Sequence, residues 1–182
     1  ICGDNILQSF DTVTTIDFAI AKGRYSSLIN GIPPSFIEST NPHINLIQAR
    51  HPLLLNNVIP IDAYVGGENT GLLITGPNAG GKTVALKTLG LLALMAHSGL
   101  DVPAKACSLT VFDSFYADIG DGQSIDLSLS SFTSHLQTLK SITQHATTRS
   151  FVLLDELGSS TDPDEGAALA KAVLNYFAEK DI

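Results

Sequence analysis

The sequence predicts an α/β fold, with a sheet covered by helices on both faces, and three observations carry that prediction. From residue 71 onward, apolar runs of strand length alternate with longer segments of helical spacing. One such run, Leu72-Leu73-Ile74, leads straight into a glycine-rich stretch, GPNAGGKT, from Gly76 to Thr83. Another, Phe151-Val152-Leu153-Leu154, ends in two acids, Asp155 and Glu156.

In chain order, residues 6–29 read as a helix on the spacing of Ile6, Phe10, Val13, Ile16, Phe18, Ile20 and Leu28. Gly31-Ile32-Pro33-Pro34 breaks it. Short strands follow at 44–48 and 58–65, closed by the turn Gly66-Gly67-Glu68-Asn69. The alternating part comprises a strand at 71–75, a helix at 82–98, a strand at 107–112 and a strand-like piece at 115–119. A helix at 131–146, a strand at 150–155 and a helix at 164–179 complete it. Helix 82–98 is apolar nearly all round (Val84, Leu86, Leu89, Leu91, Leu92, Leu94, Met95), which places it inside the fold. The sequence has no internal repeat and no low-complexity segment.

Composition narrows the function. At 182 residues, 44% of them hydrophobic and 15% charged, the chain can bury a core and is not disordered. A net charge of −8 argues against this piece alone gripping a nucleic-acid backbone, which takes a basic stripe. Cys2 and Cys107 stand far apart, without the spacing of a metal site or a disulfide framework, so a reducing cytosol is expected. The longest apolar run, Leu89 to Ala96, is too short to span a bilayer, and residues 1–20 do not read as a signal peptide. The chain opens on Ile1 rather than methionine and reads as a piece of a longer protein.

The stretch 76–83 fits GxxxxGK[ST] through Gly76, Gly81, Lys82 and Thr83. Glycines let the backbone enter the left-handed region and let a phosphate approach without a Cβ in its way. Successive N–H groups and the dipole of the following helix then favour an anion. In that pattern Lys82 reaches the β- and γ-phosphates and Thr83 places its hydroxyl on Mg²⁺. The competing reading is an ordinary glycine-rich turn. Asp155 and Glu156 end a buried strand, where open α/β sheets bind ligands. There Asp155 would hold Mg²⁺, directly or through water, and Glu156 would activate the attacking water. Two acids after a strand are by themselves usually a solvated turn, and the preceding glycine-rich loop is what lifts them above it. In SLSLSSFTSHL, Ser130 and Ser131 read as the N-cap region of a helix whose Phe132, Leu136 and Leu139 share a face. A helix N-terminus with a serine hydroxyl can hold a phosphate, but taken bare such a pair is more often a plain cap.

Together, ITGPNAGGKTVALKTLGLLALMAHSGLDVPA, ADIGDGQSIDLSLSSFTSH and LLDELGSSTDPDEGAALA resemble the ATPase domain of the MutS family, in order and in spacing. ARHPLL (Ala49 to Leu55) is similar to the entry of that domain, and the variants GDGQSIDLSLSSFTSH and GSSTDPDEGAALA resemble the bacterial type-two branch. The resemblance covers residues from about Ala49 to the end. It is weaker over 1–48, where DFAIAKGRYSSLI is similar to the last helix of the family's lever region.

The resemblance implies a P-loop NTPase of the ABC class, a mixed sheet with helices on both faces and a short N-terminal helical segment. Residues 1–40 would end the lever region and 41–182 form the ATPase domain, without the C-terminal strand that carries the family's switch histidine. It implies ATP and Mg²⁺ as ligands, a nucleotide cradle through Gly76, Pro77, Asn78, Ala79, Gly80, Gly81, Lys82, Thr83 and Val84, and metal ligation by Thr83 and Asp155. It implies Lys82 and Glu156 as the catalytic pair and Gln123 near the metal or the attacking water. Val58 and Ile59 would pack adenine, although a core-strand role suits them as well. Ser130 would contact the γ-phosphate of a second subunit, and Thr161 and Asp162 would communicate across that dimer. His51 reads as structural, and His135 and His145 as solvated or packed helix residues. The implied partners are a second copy of the chain and DNA or the ribosome, reached through regions mostly outside it, with no membrane. The functions in play are ATP hydrolysis driving a nucleic-acid clamp (recombination suppression or stalled-ribosome processing rather than mismatch recognition), or a nucleotide-gated dimerisation module with negligible turnover. A transporter subunit fits less well, because Leu129-Ser130-Ser131-Phe132 stands where an LSGGQ-type signature belongs. A small-molecule kinase fits least.

Overall fold

A computed structural model describes residues 2–54, 58–67, 69–77, 80–120, 128–159 and 161–182. Its elements run α1 (Cys2–Ile29), β1 (Ser35–Phe36), β2 (His43–Ala49), β3 (Ile61–Gly66), α2 (Lys82–His97), β4 (Ala106–Leu109), β5 (Ser114–Asp118), α3 (Ser128–His145), β6 (Ser150–Leu154) and α4 (Pro163–Glu179). The mixed α/β class is the expected one. Among the described residues the strands form two sheets rather than one. The first has the order β1-β4-β2-β3, with β2 antiparallel to both neighbours and β1 parallel to β4. The second pairs β5 and β6 in parallel, with Phe115 opposite Phe151 and Asp118 opposite Leu154.

Two expected strands change. Segment 71–75 is not a strand: it joins neither ladder, and Leu73 is 73% exposed. Apolar periodicity marks a segment that fits a sheet, but a strand also needs a partner edge for its N–H and C=O groups. Among the described residues β6 pairs with β5 alone. The strand expected from residue 58 begins at Ile61, so Val58 and Ile59 lie outside the sheet. Ile59, 84% exposed, has no core-strand role.

The β2–β3 ladder contains a bulge. Leu46 faces Ala63 and Ala49 faces Ile61, so two residues oppose one. Gln48 takes a left-handed φ of 50° in the bulge, and its N–H donates to the Asp62 carboxylate at 2.6 Å. Two residues on, the Arg50 guanidinium donates to the carbonyls of Ile29 and Asn30, each at 3.5 Å, and so caps the C-terminus of α1.

Two clusters build the interior, one on each face of β5–β6. In the first, Leu89, Leu92, Ala93, Met95 and Ala96 of α2 pack among Ile44, Leu46, Cys107 and Leu109 of the larger sheet and Phe151 and Leu153 of β6. In the second, Leu139 and Ile142 of α3 meet Val173 and Phe177 of α4, against Tyr116, Val152 and Leu154. The alternation Phe151/Leu153 on one face and Val152/Leu154 on the other is the two-residue period of a strand buried on both sides. α2 is largely interior, as its composition requires, although Val84 and Leu94 reach the surface.

α1 behaves differently. Ile6, Phe10, Val13, Ile16, Phe18, Ile20 and Leu28 are all between 49% and 68% exposed. The helix is anchored by its last two turns. Tyr25 and Ile29 enter the first cluster, Ser26 donates to Asp101, and the Lys22 ammonium donates to the Gly99 carbonyl at 3.3 Å.

Candidate active site

The glycine-rich segment leads into the N-terminus of α2. Gly76 has φ 147° and Gly81 φ 79°, and a Cβ on either would meet nothing within 4 Å. Their role is therefore conformational, not packing. Gly81 is the N-cap of α2 and supplies no side chain to its first-turn amides. The Lys82 ammonium folds back and donates to the carbonyls of Gly76 at 2.8 Å and Pro77 at 2.9 Å. Gly80 closes the turn by donating its N–H to Pro77 O at 2.9 Å. Thr83 is half-buried and Val84 exposed. Asn78 and Ala79 lie outside the described residues.

The two acids occupy a tight turn after β6. The Asp155 N–H donates to the backbone carbonyl of Asp118 at 2.9 Å, extending the β5–β6 ladder by one bond. Glu156 takes φ 48° and is exposed, while its carbonyl accepts from Ser159 N–H at 2.9 Å. A left-handed glutamate costs about 1–2 kcal/mol, which the surrounding structure must hold in place. Two residues on, the turn meets α4 backbone to backbone. Gly158, at φ 82°, lies against Gly166 in the first turn of α4, and a Cβ on either would overlap the other's carbonyl oxygen. Asp162 caps α4 by accepting from Asp164 N–H at 3.0 Å, and Thr161 Oγ1 donates to Glu165 at 2.9 Å. Thr161 and Asp162 thus have a local job at the start of α4.

α3 starts at Ser128, earlier than expected, which places Ser130 and Ser131 in the helix rather than in its N-cap region. Gln123 lies outside the described residues. The His135 ring is neither free nor merely packed. Its Nδ1 donates to the Asp118 carboxylate, 2.9 Å from each oxygen. Asp118, His135, Leu136, Asp155, Glu156 and Gly158 line one shallow cleft.

The run of α2 across β6 brings the two motifs toward one end. The His97 ring sits 4.9 Å from that of Phe115, whose strand partner is Phe151. Gly90 lies directly on Leu153, where a Cβ would overlap Cδ1. Moving from His97 back to Gly90 therefore tracks Phe151 to Leu153, and the helix runs antiparallel to β6. Another seven residues, about 10 Å of helix, reach Thr83. Two more strand residues, about 7 Å, reach Asp155.

His51 Nδ1 accepts from Leu53 N–H at 3.3 Å, and burial, then the Lys87 charge, lowers its pKa from 6.5. Burial pushes the Cys107 thiol up to about 11.

A sequence-family model described as MutS domain V matches residues 72–181, more than half of the chain. The chain belongs to the MutS family. It is similar to the endonuclease MutS2 of Alkaliphilus metalliredigens, 49% identical over 172 residues, which cover 93% of this chain and 22% of that protein. It is 50% identical over 175 residues to the MutS2 endonuclease of Exiguobacterium sibiricum (95% and 22%) and 46% over 181 residues to that of Finegoldia magna (98% and 23%). The MutS-family chain thus spans between a fifth and a quarter of the length of these relatives. The match to domain V contains α2, α3, β6 and α4 whole, and with them both motifs. The MutS-type reading of the sequence named the two motifs, the second running from Phe151 to Gly158, but gave no role to Asp118, Gly158 or Gly166. Asp118 and His135 are 17 residues apart, and Gly158 and Gly166 meet only because a turn folds onto a helix start; no local spacing marks either pair.

Proposed function

We propose that this chain is an ATP-binding and hydrolysing module of the ABC-class P-loop type, completed by a second copy. The observation that carries the reading is the antiparallel run of α2 on β6. It directs the glycine-rich N-terminus and the Asp155–Glu156 turn toward the same end of the strand. The first-turn amides of α2, with no side-chain cap, suit phosphate oxygens. The Lys82 ammonium is bonded to two carbonyl oxygens, which β- and γ-phosphate oxygens would replace.

The residues also fit Mg²⁺. Among the described residues no three His, Cys, Asp or Glu side chains cluster to cage a metal. Mg²⁺ needs no such cage: it takes one or two protein oxygens and completes its shell with phosphate and water. Thr83 and Asp155 are the ligands in this reading, and Mg²⁺ would neutralise charge building on the phosphates. Glu156 accepts the proton of the water that attacks the γ-phosphorus in line, and its left-handed backbone sets where the carboxylate stands. Lys82 holds the phosphate charge. Asn78, Ala79 and Gln123 complete the cradle, with Val58 and Ile59 beside adenine, and Ser130 at the start of α3 closes the site of the partner copy. In the longer protein this module drives a clamp on DNA or the ribosome through regions outside the chain.

The test is ATP hydrolysis as a function of protein concentration with Mg²⁺ present. Specific activity that climbs with concentration is the expected result. Flat, negligible activity would reduce this chain to a nucleotide-gated half-site. Lys82→Ala weakens ATP binding in this reading, and an unchanged affinity would remove the phosphate-loop assignment. Glu156→Gln in the full-length protein keeps binding and loses ~10²-fold or more in turnover, the scale of a lost acid–base group.

A further inference from the structure

Asp118 has two partners in two different parts of the molecule. Its backbone carbonyl accepts from Asp155 N–H at 2.9 Å, and its carboxylate accepts from His135 Nδ1 at 2.9 Å. The first bond holds the acid turn and the second holds α3. Asp118 is well covered, its side chain 13% exposed against 35% for His135, so the bond is partly shielded from water. Gly120 abuts the far edge of the imidazole, where a Cβ would stand 3.2 Å from Cε1 and 3.5 Å from Nε2. Leu136 and Leu139 of the same helix line the cleft with Asp155, Glu156 and Leu157.

We infer that Asp118 and His135 are positioning residues that tie the middle of α3, two turns in from its start, to the Asp155–Glu156 turn. The inference rests on the proposed composite site. There the acid turn serves the chain's own nucleotide, while the first turn of α3 serves the nucleotide of the partner copy. The Asp118–His135 bond is then the physical link between the two half-sites. A shift of α3 as it closes on the partner's phosphate is transmitted through His135 and Asp118 to the amide of Asp155. The link works in reverse as well, since coupling between sites is reciprocal. Neither residue touches nucleotide. Their effect falls on turnover through the placement of Glu156, not on the cradle that binds ATP.

Three variants of the full-length protein test this: His135→Ala, His135→Asn and Asp118→Ala. Asparagine places its amide nitrogen close to where Nδ1 stands, so it can still donate to Asp118. His135→Ala and Asp118→Ala should lower kcat by ~10-fold or more, the cost expected of a misplacement well below 1 Å to 1 Å. The KM for ATP should stay within about twofold, because ground-state binding is untouched. His135→Asn should recover most of the rate. A packing defect alone would not be rescued by a smaller polar side chain.

Hydrogen exchange of the nucleotide-free full-length protein supplies a readout that does not depend on hydrolysis. His135→Ala should speed exchange at the amides of Asp155 to Ser159 as well as in α3, and His135→Asn should restore both. Faster exchange confined to α3, or none, would overturn the link whatever the rates. An Asn variant as slow in turnover as the Ala variant would overturn it too. If instead Lys82→Ala hydrolyses ATP normally while the exchange pattern holds, the phosphate-loop assignment has failed and the mechanical link stands.

Discussion

Cys107 shows how burial alone sets the behaviour of one residue. Its side chain sits in β4 opposite Leu46, 5% exposed, within the first cluster. Desolvation disfavours the thiolate and moves its pKa from 9.0 up to about 11. Below pH 9 the thiol is protonated in both the folded and the unfolded chain, and stability is unaffected. Between pH 9 and 11 the unfolded chain releases this proton and the folded chain does not, so stability is lost as pH rises. The full loss is about 2–3 kcal/mol for this one group. Urea unfolding of the chain and of Cys107→Ala across that range should diverge by this amount; parallel curves would show that the thiol is not the cause. The same burial keeps Cys107 slow toward thiol reagents at pH 8 while the chain is folded. Residues with such covered roles were partly legible: the distance of Cys107 from Cys2 in the sequence argued against a disulfide framework. His135 was not. A histidine on a helix gives no sign that a strand-end aspartate, 17 positions earlier, will be at its Nδ1.

At the scale of elements, the decisive contacts are those where backbones meet without side chains between them. Gly158 and Gly166 are the tightest case, and they fix the acid turn to α4. Gly166→Ala gains about 1 kcal/mol of helix propensity in principle. That gain cannot be realised, because the new Cβ would overlap the Gly158 carbonyl, and backbone does not move aside as a flexible side chain does. The turn or the helix must shift, and the cost should reach about 1–3 kcal/mol. A lower urea midpoint with turnover falling further than stability is the expected result in the full-length protein; a midpoint raised by the substitution would show that the contact is slack. Helices α2 and α4 and strand β6 were legible within about two residues, because their apolar periods are long and their flanks carry Gly, Pro or Asp signals. Segment 71–75 was not, because strand identity depends on an edge that lies elsewhere in the chain. The start of α3 moved outward to Ser128, since serines at a helix start read equally well as cap or first turn.

For the whole molecule, α1 raises the question of what its exposed apolar stripe does to any measurement made on this chain. From Cys2 to about Phe18 the side-chain bonds of the helix are internal ones: Ser9, Thr12, Thr14 and Thr15 each donate to a carbonyl four residues back. Attachment to the rest begins at Lys22. Removing residues 1–18 should therefore leave the thermal midpoint within about 3 °C, since it deletes less than ~1 kcal/mol of contact with the core. Self-association should respond strongly. A helix that shows Ile6, Phe10, Val13 and Ile20 along one stripe is the kind of contiguous apolar patch that drives copies together. Sedimentation of the full chain should give species larger than a monomer at tens of micromolar, and the shortened chain a monomer. If both sediment alike, the stripe is not what joins copies. The comparison also decides how the ATPase assay is read. Activity that rises with concentration could reflect copies held by α1 rather than by nucleotide. Only in the shortened chain, monomeric without ATP, does a concentration-dependent rate require that nucleotide itself brings Ser130 of one copy to the site of the other.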